Sequence, residues 1–121
     1  MNENDGVTAA AERESDLWTI TRPGVPLFMN VTLTIKPSHE EAFVAALREV
    51  LPLARAEQCC RYLHAGRSAR GVYVLSEGWH DLVEYRDFVL QQPYFQTYLR
   101  ISEDAYAQPR KVLLLSPILE P

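Results

Sequence analysis

The run Glu77-Gly78-Trp79-His80-Asp81 carries the densest set of groups able to do chemistry in this chain. Strand alternation puts Tyr73, Glu77 and Trp79 on one face, because successive side chains point to opposite sides with a period of two. A carboxylate buried there is a candidate base, since lost hydration raises its proton affinity; pairing with an arginine is the competing reading. Trp79 offers a flat wall for stacking and one N–H donor, or simply fills a core at a strand end. Such a surface suits a planar aromatic ligand.

Other residues bear on the same chemistry. Asn30 lies on the face of its strand opposite Met29 and Val31, where intrinsic preference disfavours it. Its amide could polarise a carbonyl or bind an oxyanion, or bond to a neighbouring strand or a partner chain. His64 is the only histidine inside a strand, sharing a face with Tyr62 and Cys60. A neutral imidazole is a plausible base, and a place at the hairpin rim is the alternative. Arg86 lies in a helix with Leu82, Tyr85 and Val89. At a pocket edge it would hold a phenolate; otherwise it pairs with Asp87, Glu84 or Glu77. Tyr62, Tyr73, Tyr85 and Tyr98 supply hydroxyls and rings that could orient a substrate.

The elements that must position these groups follow from periodicity and punctuation. Residues 1–16 are acidic and polar and read as a mobile tail within an extension over 1–27; residues 17–20 suit a strand stub, and two prolines around Gly24 make a loop. A strand covers 28–36 and ends at Pro37. Ser38 with Glu41 three residues on predicts a capping box, and Phe43, Leu47, Val50 and Ala54 recur at helical spacing. Pro52 should kink or restart that helix. Strands over 59–65 and 71–79 flank a glycine-containing hairpin. Asp81 with Glu84 starts a second helix over 81–91, Pro93 opens a further helical stretch to about 107, and a very apolar strand covers 111–118.

The order β-α-β-β-α-β is the ferredoxin-like arrangement, an α+β fold with an antiparallel sheet and both helices on one face. Val112 to Leu115 is apolar on both faces, and the first strand nearly so. Strands of that kind are covered on both sides, so a homodimer with sheets packed face to face is expected.

Composition narrows the function classes. At 121 residues the chain suits one domain with a single core. Residues 1–16 carry five acids and one base, which accounts for the whole net charge of −4 and leaves the remainder neutral. Without a basic stripe, nucleic-acid binding is not expected. No apolar run reaches the roughly 18 residues of a membrane span, and no secretion signal is recognisable, so a cytoplasmic protein is expected. Cys59 and Cys60 are neighbours, unsuited to a disulfide framework or a zinc site, and read as two thiols on opposite strand faces.

These features together resemble the antibiotic biosynthesis monooxygenase (ABM) family over residues 28–118. The resemblance rests on Asn30-Val31, Lys36-Pro37, the helix with Phe43 and Leu47, residues 57–62, Glu77-Gly78-Trp79 and Pro93-Tyr94-Phe95. It implies a dimeric α+β barrel that oxidises electron-rich aromatic polyketides or phenols, such as anthrones and hydroquinones, with O2 and no cofactor. Reduced flavin supplied by a partner protein, for oxidative ring cleavage, is the alternative, and a non-catalytic ligand-binding or structural dimer is a third reading. By the same resemblance Asn30 and Trp79 would position substrate, His64 or a tyrosine would move the proton, and Arg86 would give electrostatic support. Relatives often carry a histidine near the position of Val89 and another at that of Tyr94, and here the spacing from Trp79 to Pro93 is one residue longer. Loss of the helix histidine removes the usual haem ligand and one candidate base.

Overall fold

The computed structural model describes residues 13–119. The expected mobile tail over 1–16 lies mostly outside them; its last residue, Asp16, begins a short helix, α1 (Asp16–Thr19), where a strand stub over 17–20 was expected. The core elements are β1 (Leu27–Thr34), α2 (Glu40–Arg55), β2 (Cys60–Ala69), β3 (Val72–Trp79), a single turn α3 (Leu82–Glu84), α4 (Pro93–Ala105) and β4 (Lys111–Leu114). The strands form an antiparallel sheet in the order β2-β3-β1-β4, the ferredoxin-like topology.

Alternation along β1 divides the sheet. Leu27, Met29, Val31 and Leu33 face the helices and are buried, while Asn30, Thr32 and Thr34 face away and are half-buried. On β3 the helix-facing set is Tyr73, Leu75, Glu77 and Trp79. The sheet's inner face meets Phe43, Ala46, Leu47, Val50 and Ala54 of α2, and Phe95, Tyr98, Ser102 and Ala105 of α4, each set at helical spacing. The outer face is only partly covered within the chain: Phe28 there is buried, but Leu113, which pairs with Asn30, is 62% exposed.

Several boundaries differ from the sequence reading for local reasons. α2 runs through Pro52 to Arg55 without a break. Pro52 is exposed, and Val50 and Ala54 on the buried side hold the turn against the core. Pro37–His39 forms a 3₁₀ turn, so His39 rather than Ser38 precedes α2, and the Ser38 hydroxyl bonds to His39 Nδ1 at 2.8 Å instead of capping. β2 extends to Ala69 and turns tightly at Gly71, whose φ of 73° suits a residue without a Cβ. β4 stops at Leu114, short of the expected Ile118.

The second helix is where sequence periodicity misleads most. Asp81 does cap it, its carboxylate accepting from the backbone N–H of Val83 and Glu84. After Glu84, however, the chain enters a π turn over Tyr85–Val89, closed by Leu90 N–H donating to Tyr85 O at 2.9 Å. A π turn holds one residue more than an α turn, which accommodates the longer spacing between Trp79 and Pro93.

Candidate functional site

A cavity of about 310 Å³ opens between the inner face of the sheet and the π turn and α4. Its floor is Met29, Val31 and Leu75, its sides include Tyr85, Phe95 and Tyr98, and Arg110 and Trp18 contribute to its lining. A volume in the range of roughly 300–1,000 Å³, apolar walls and a few convergent polar groups are the usual marks of a small-molecule site. A larger hollow of about 710 Å³ lies on the outside between His39 and residues 100–105, but its lining is mostly exposed and holds no buried titratable group.

Glu77 is the polar centre of the inner cavity. β3 alternation aims it inward, and it is buried with only 6% exposure. Its Oε1 accepts from Trp79 Nε1 at 3.0 Å; this indole, not an arginine, is its direct partner. Burial raises the carboxyl from 4.5 to about 7, and the Trp79 hydrogen bond and the nearby Arg110 charge pull against that rise. A carboxyl poised near neutrality can take a proton from a weakly acidic carbon or phenol and return it.

Trp79 is fully buried behind the carboxylate, and the Tyr85 ring lies against it with centroids 4.5 Å apart. Burial holds the Tyr85 and Tyr98 hydroxyls well above the usual phenol range, with Glu77 adding to both shifts, so both remain protonated donors. Among the described residues no three His, Cys, Asp or Glu side chains are gathered as a metal donor set.

The structure brings together Trp79, Tyr85 and Tyr98 of the expected site and separates the rest from them. Asn30 pairs with Ser76 on the outer face, so the sheet itself lies between it and Trp79. Tyr62 and His64 also lie there, their rings stacked at 5.7 Å, with Phe28 beyond Tyr62 and Arg61 over the Phe28 ring at 5.4 Å. Gly78 makes this possible: a Cβ there would meet the Tyr62 ring at 2.3 Å. Cys60 does not share the face of Tyr62, because a register shift sets Cys60 opposite Trp79 and Tyr62 opposite Gly78. Cys59, fully buried just before β2, has its thiol pushed up to about 12 by burial.

Tyr73 faces inward but sits at the far end of the sheet, against Phe43, and donates to Glu40 Oε2 at 2.5 Å. Arg86 is turned away from the cavity. It forms a two-point pair with Asp87, and its Nη1 donates to the carbonyls of Leu17 and Ile20 at 3.0 and 2.7 Å. The guanidinium beside the cavity is that of Arg110, in the irregular segment before β4, where no periodic pattern marks it. Glu77 was legible in its alternation with Trp79; what the sequence left open was its partner.

This fold is that of a known group. The family described as antibiotic biosynthesis monooxygenase matches residues 26–100, and the chain belongs to it. Among solved structures, Rv0793 from Mycobacterium tuberculosis is similar at 25% identity and a TM-score of 0.70, over 78% of this chain and 97% of that one. An antibiotic biosynthesis monooxygenase is similar in fold at 20% identity and a TM-score of 0.70, over 77% and 99%. A conserved protein from Methanosarcina mazei Go1 shares the fold at 10% identity and a TM-score of 0.66, over 77% and 93%. No curated protein matches the sequence.

Proposed function

We propose that this chain is a cofactor-independent monooxygenase that takes an electron-rich aromatic of the anthrone or hydroquinone type to a quinone with O2. The observation that carries the reading is Glu77: a buried carboxyl raised to about 7, held by an indole N–H in an apolar cavity. With an anthrone, Glu77 takes a proton from the ring methylene and leaves an enolate. Tyr85 and Tyr98 donate to the developing oxyanion, and Arg110 supplies positive charge. The enolate passes electrons to O2 and forms a carbon–oxygen bond to give a peroxide. Loss of water then leaves the quinone, so one oxygen atom stays in the ring carbonyl and the other departs with two substrate hydrogens. The apolar walls keep water from quenching the anion.

The working unit in this proposal is a homodimer joined through the outer faces of two sheets. Exposed Leu113, with Ile118 and Leu119 exposed beyond it, gives that face an apolar edge that a second copy would cover. Asn30, Tyr62 and His64 belong to the interface in this arrangement rather than to proton transfer. Light scattering should give twice the 13.8 kDa of one chain; a monomer at working concentration would overturn the dimer.

The activity is tested by oxygen uptake with anthrone in the presence of a chelator, with no flavin or haem added, against boiled protein. Enzyme-dependent uptake with quinone formation is expected. Uptake that appears only when reduced flavin is added would overturn the cofactor-free reading.

A further inference from the structure

The chain carries an arm that precedes its family match. The family match begins at residue 26, and Rv0793 is covered almost whole by 78% of this chain. Residues 13–25 nonetheless hold a defined place. Leu17 is buried in the core, Arg86 clamps the carbonyls of Leu17 and Ile20, Gly24 N–H donates to Asp81 Oδ2 at 3.2 Å, and Leu82 N–H donates to Val25 O at 2.8 Å. These bonds fasten the arm along the start of α3 and the π turn, the same segment that brings Tyr85 to the cavity. The arm delivers one residue to the cavity itself: Trp18, which lines it while keeping 63% of its surface exposed.

A large ring on a clamped backbone, lining a cavity yet nearly two-thirds exposed, has an unmatched apolar face. We infer that Trp18 is a specificity-determining residue, stacking on the outer ring of an extended, fused aromatic whose inner ring reaches Glu77. The inference rests on the cavity being the substrate site. On that reading Trp18 favours extended over single-ring ligands, since it comes to the cavity from the arm while Glu77 comes from β3. Arg86 thereby acts as a positioning residue through the arm, and Trp18 as the contact.

The test labels the full chain with 5-fluorotryptophan, which gives fluorine resonances for Trp18 and Trp79, and titrates it with 1,8-dihydroxyanthraquinone. Loss of one signal in Trp18→Phe assigns the pair. Both resonances moving with one saturation curve is the expected result. Movement of the Trp79 signal alone overturns the role of Trp18 and leaves the cavity reading standing. Movement of the Trp18 signal alone means that the ligand does not reach Glu77, to which Trp79 donates, and overturns the inference, as does no movement of either. In Trp18→Ala the three-ring probe should bind about tenfold more weakly, the loss of one aromatic stack. Trp18→Phe should stay within about threefold of wild type, and single-ring methylhydroquinone should bind all three proteins alike. An equal loss for both ligands would mark Trp18 as merely structural and overturn the inference.

Discussion

Replacing Glu77 with glutamine removes a charge while keeping the shape and an acceptor for the Trp79 indole. The carboxyl moves from 4.5 to about 7 on folding, with burial the leading cause. A folded value above the unfolded one means that the native state binds the proton more tightly. Stability from the protonated group is therefore complete below pH 4.5 and is lost as pH rises through 7. At roughly 1.4 kcal/mol per tenfold in proton affinity, the loss across that window is about 3 kcal/mol. Glutamine cannot ionise and should not show it. Urea unfolding of both proteins at pH 5 and pH 8 measures the effect directly. The variant should match wild type within about 1 kcal/mol at pH 5 and exceed it by up to about 3 kcal/mol at pH 8, while losing turnover. A variant that declines between the two pH values as steeply as wild type would refute the assignment of the buried proton to Glu77.

Trp79→Phe removes the one direct hydrogen bond to Glu77 among the described residues, so it should push the carboxyl still higher, shift the pH limb of activity upward, and cost about 1–3 kcal/mol in denaturant unfolding. Gly78→Ala drives a methyl group into the Tyr62 ring and should cost about 1–3 kcal/mol, with most of it recovered in a Tyr62→Ala background; the double-mutant cycle reads the coupling. Arg86→Ala unclamps the arm and should lose about 3 kcal/mol, at about 1.5 for each of two carbonyl hydrogen bonds made by a charged group. Limited proteolysis should then cut near residues 13–20 in that variant and spare wild type.

Much of this architecture is written in local patterns. Alternation along β1 and β3, the Asp81 cap and Pro93 at the first turn of α4 all read correctly, because each depends on only a few neighbouring residues. The same alternation separates Asn30 from Trp79, since Asn30 falls in the outward set; grouping them came from family likeness rather than from strand geometry. The Asp87 pair of Arg86 is one of the partners open to it in the sequence, whereas its bonds to the Leu17 and Ile20 carbonyls reach a segment nearly seventy residues upstream. No local signal encodes such a long-range contact. Arg110 was missed for the same reason: it precedes β4 without periodic context and reaches the cavity only because β4 pairs with β1. The bulge between Cys60 and Tyr62 likewise inverts a face that strict alternation would have kept.

The measurement that bears most directly on Glu77 as the base is the pH profile of kcat/KM for anthrone oxidation, wild type against Glu77→Gln, in air-saturated buffer with chelator. The free enzyme's base should appear as an ascending limb with an apparent pKa near 7 in wild type. In the glutamine variant that limb should vanish, with the remaining rate lower by roughly 10²–10⁴. A variant that oxidises anthrone at the wild-type rate, with the limb intact, would contradict the account.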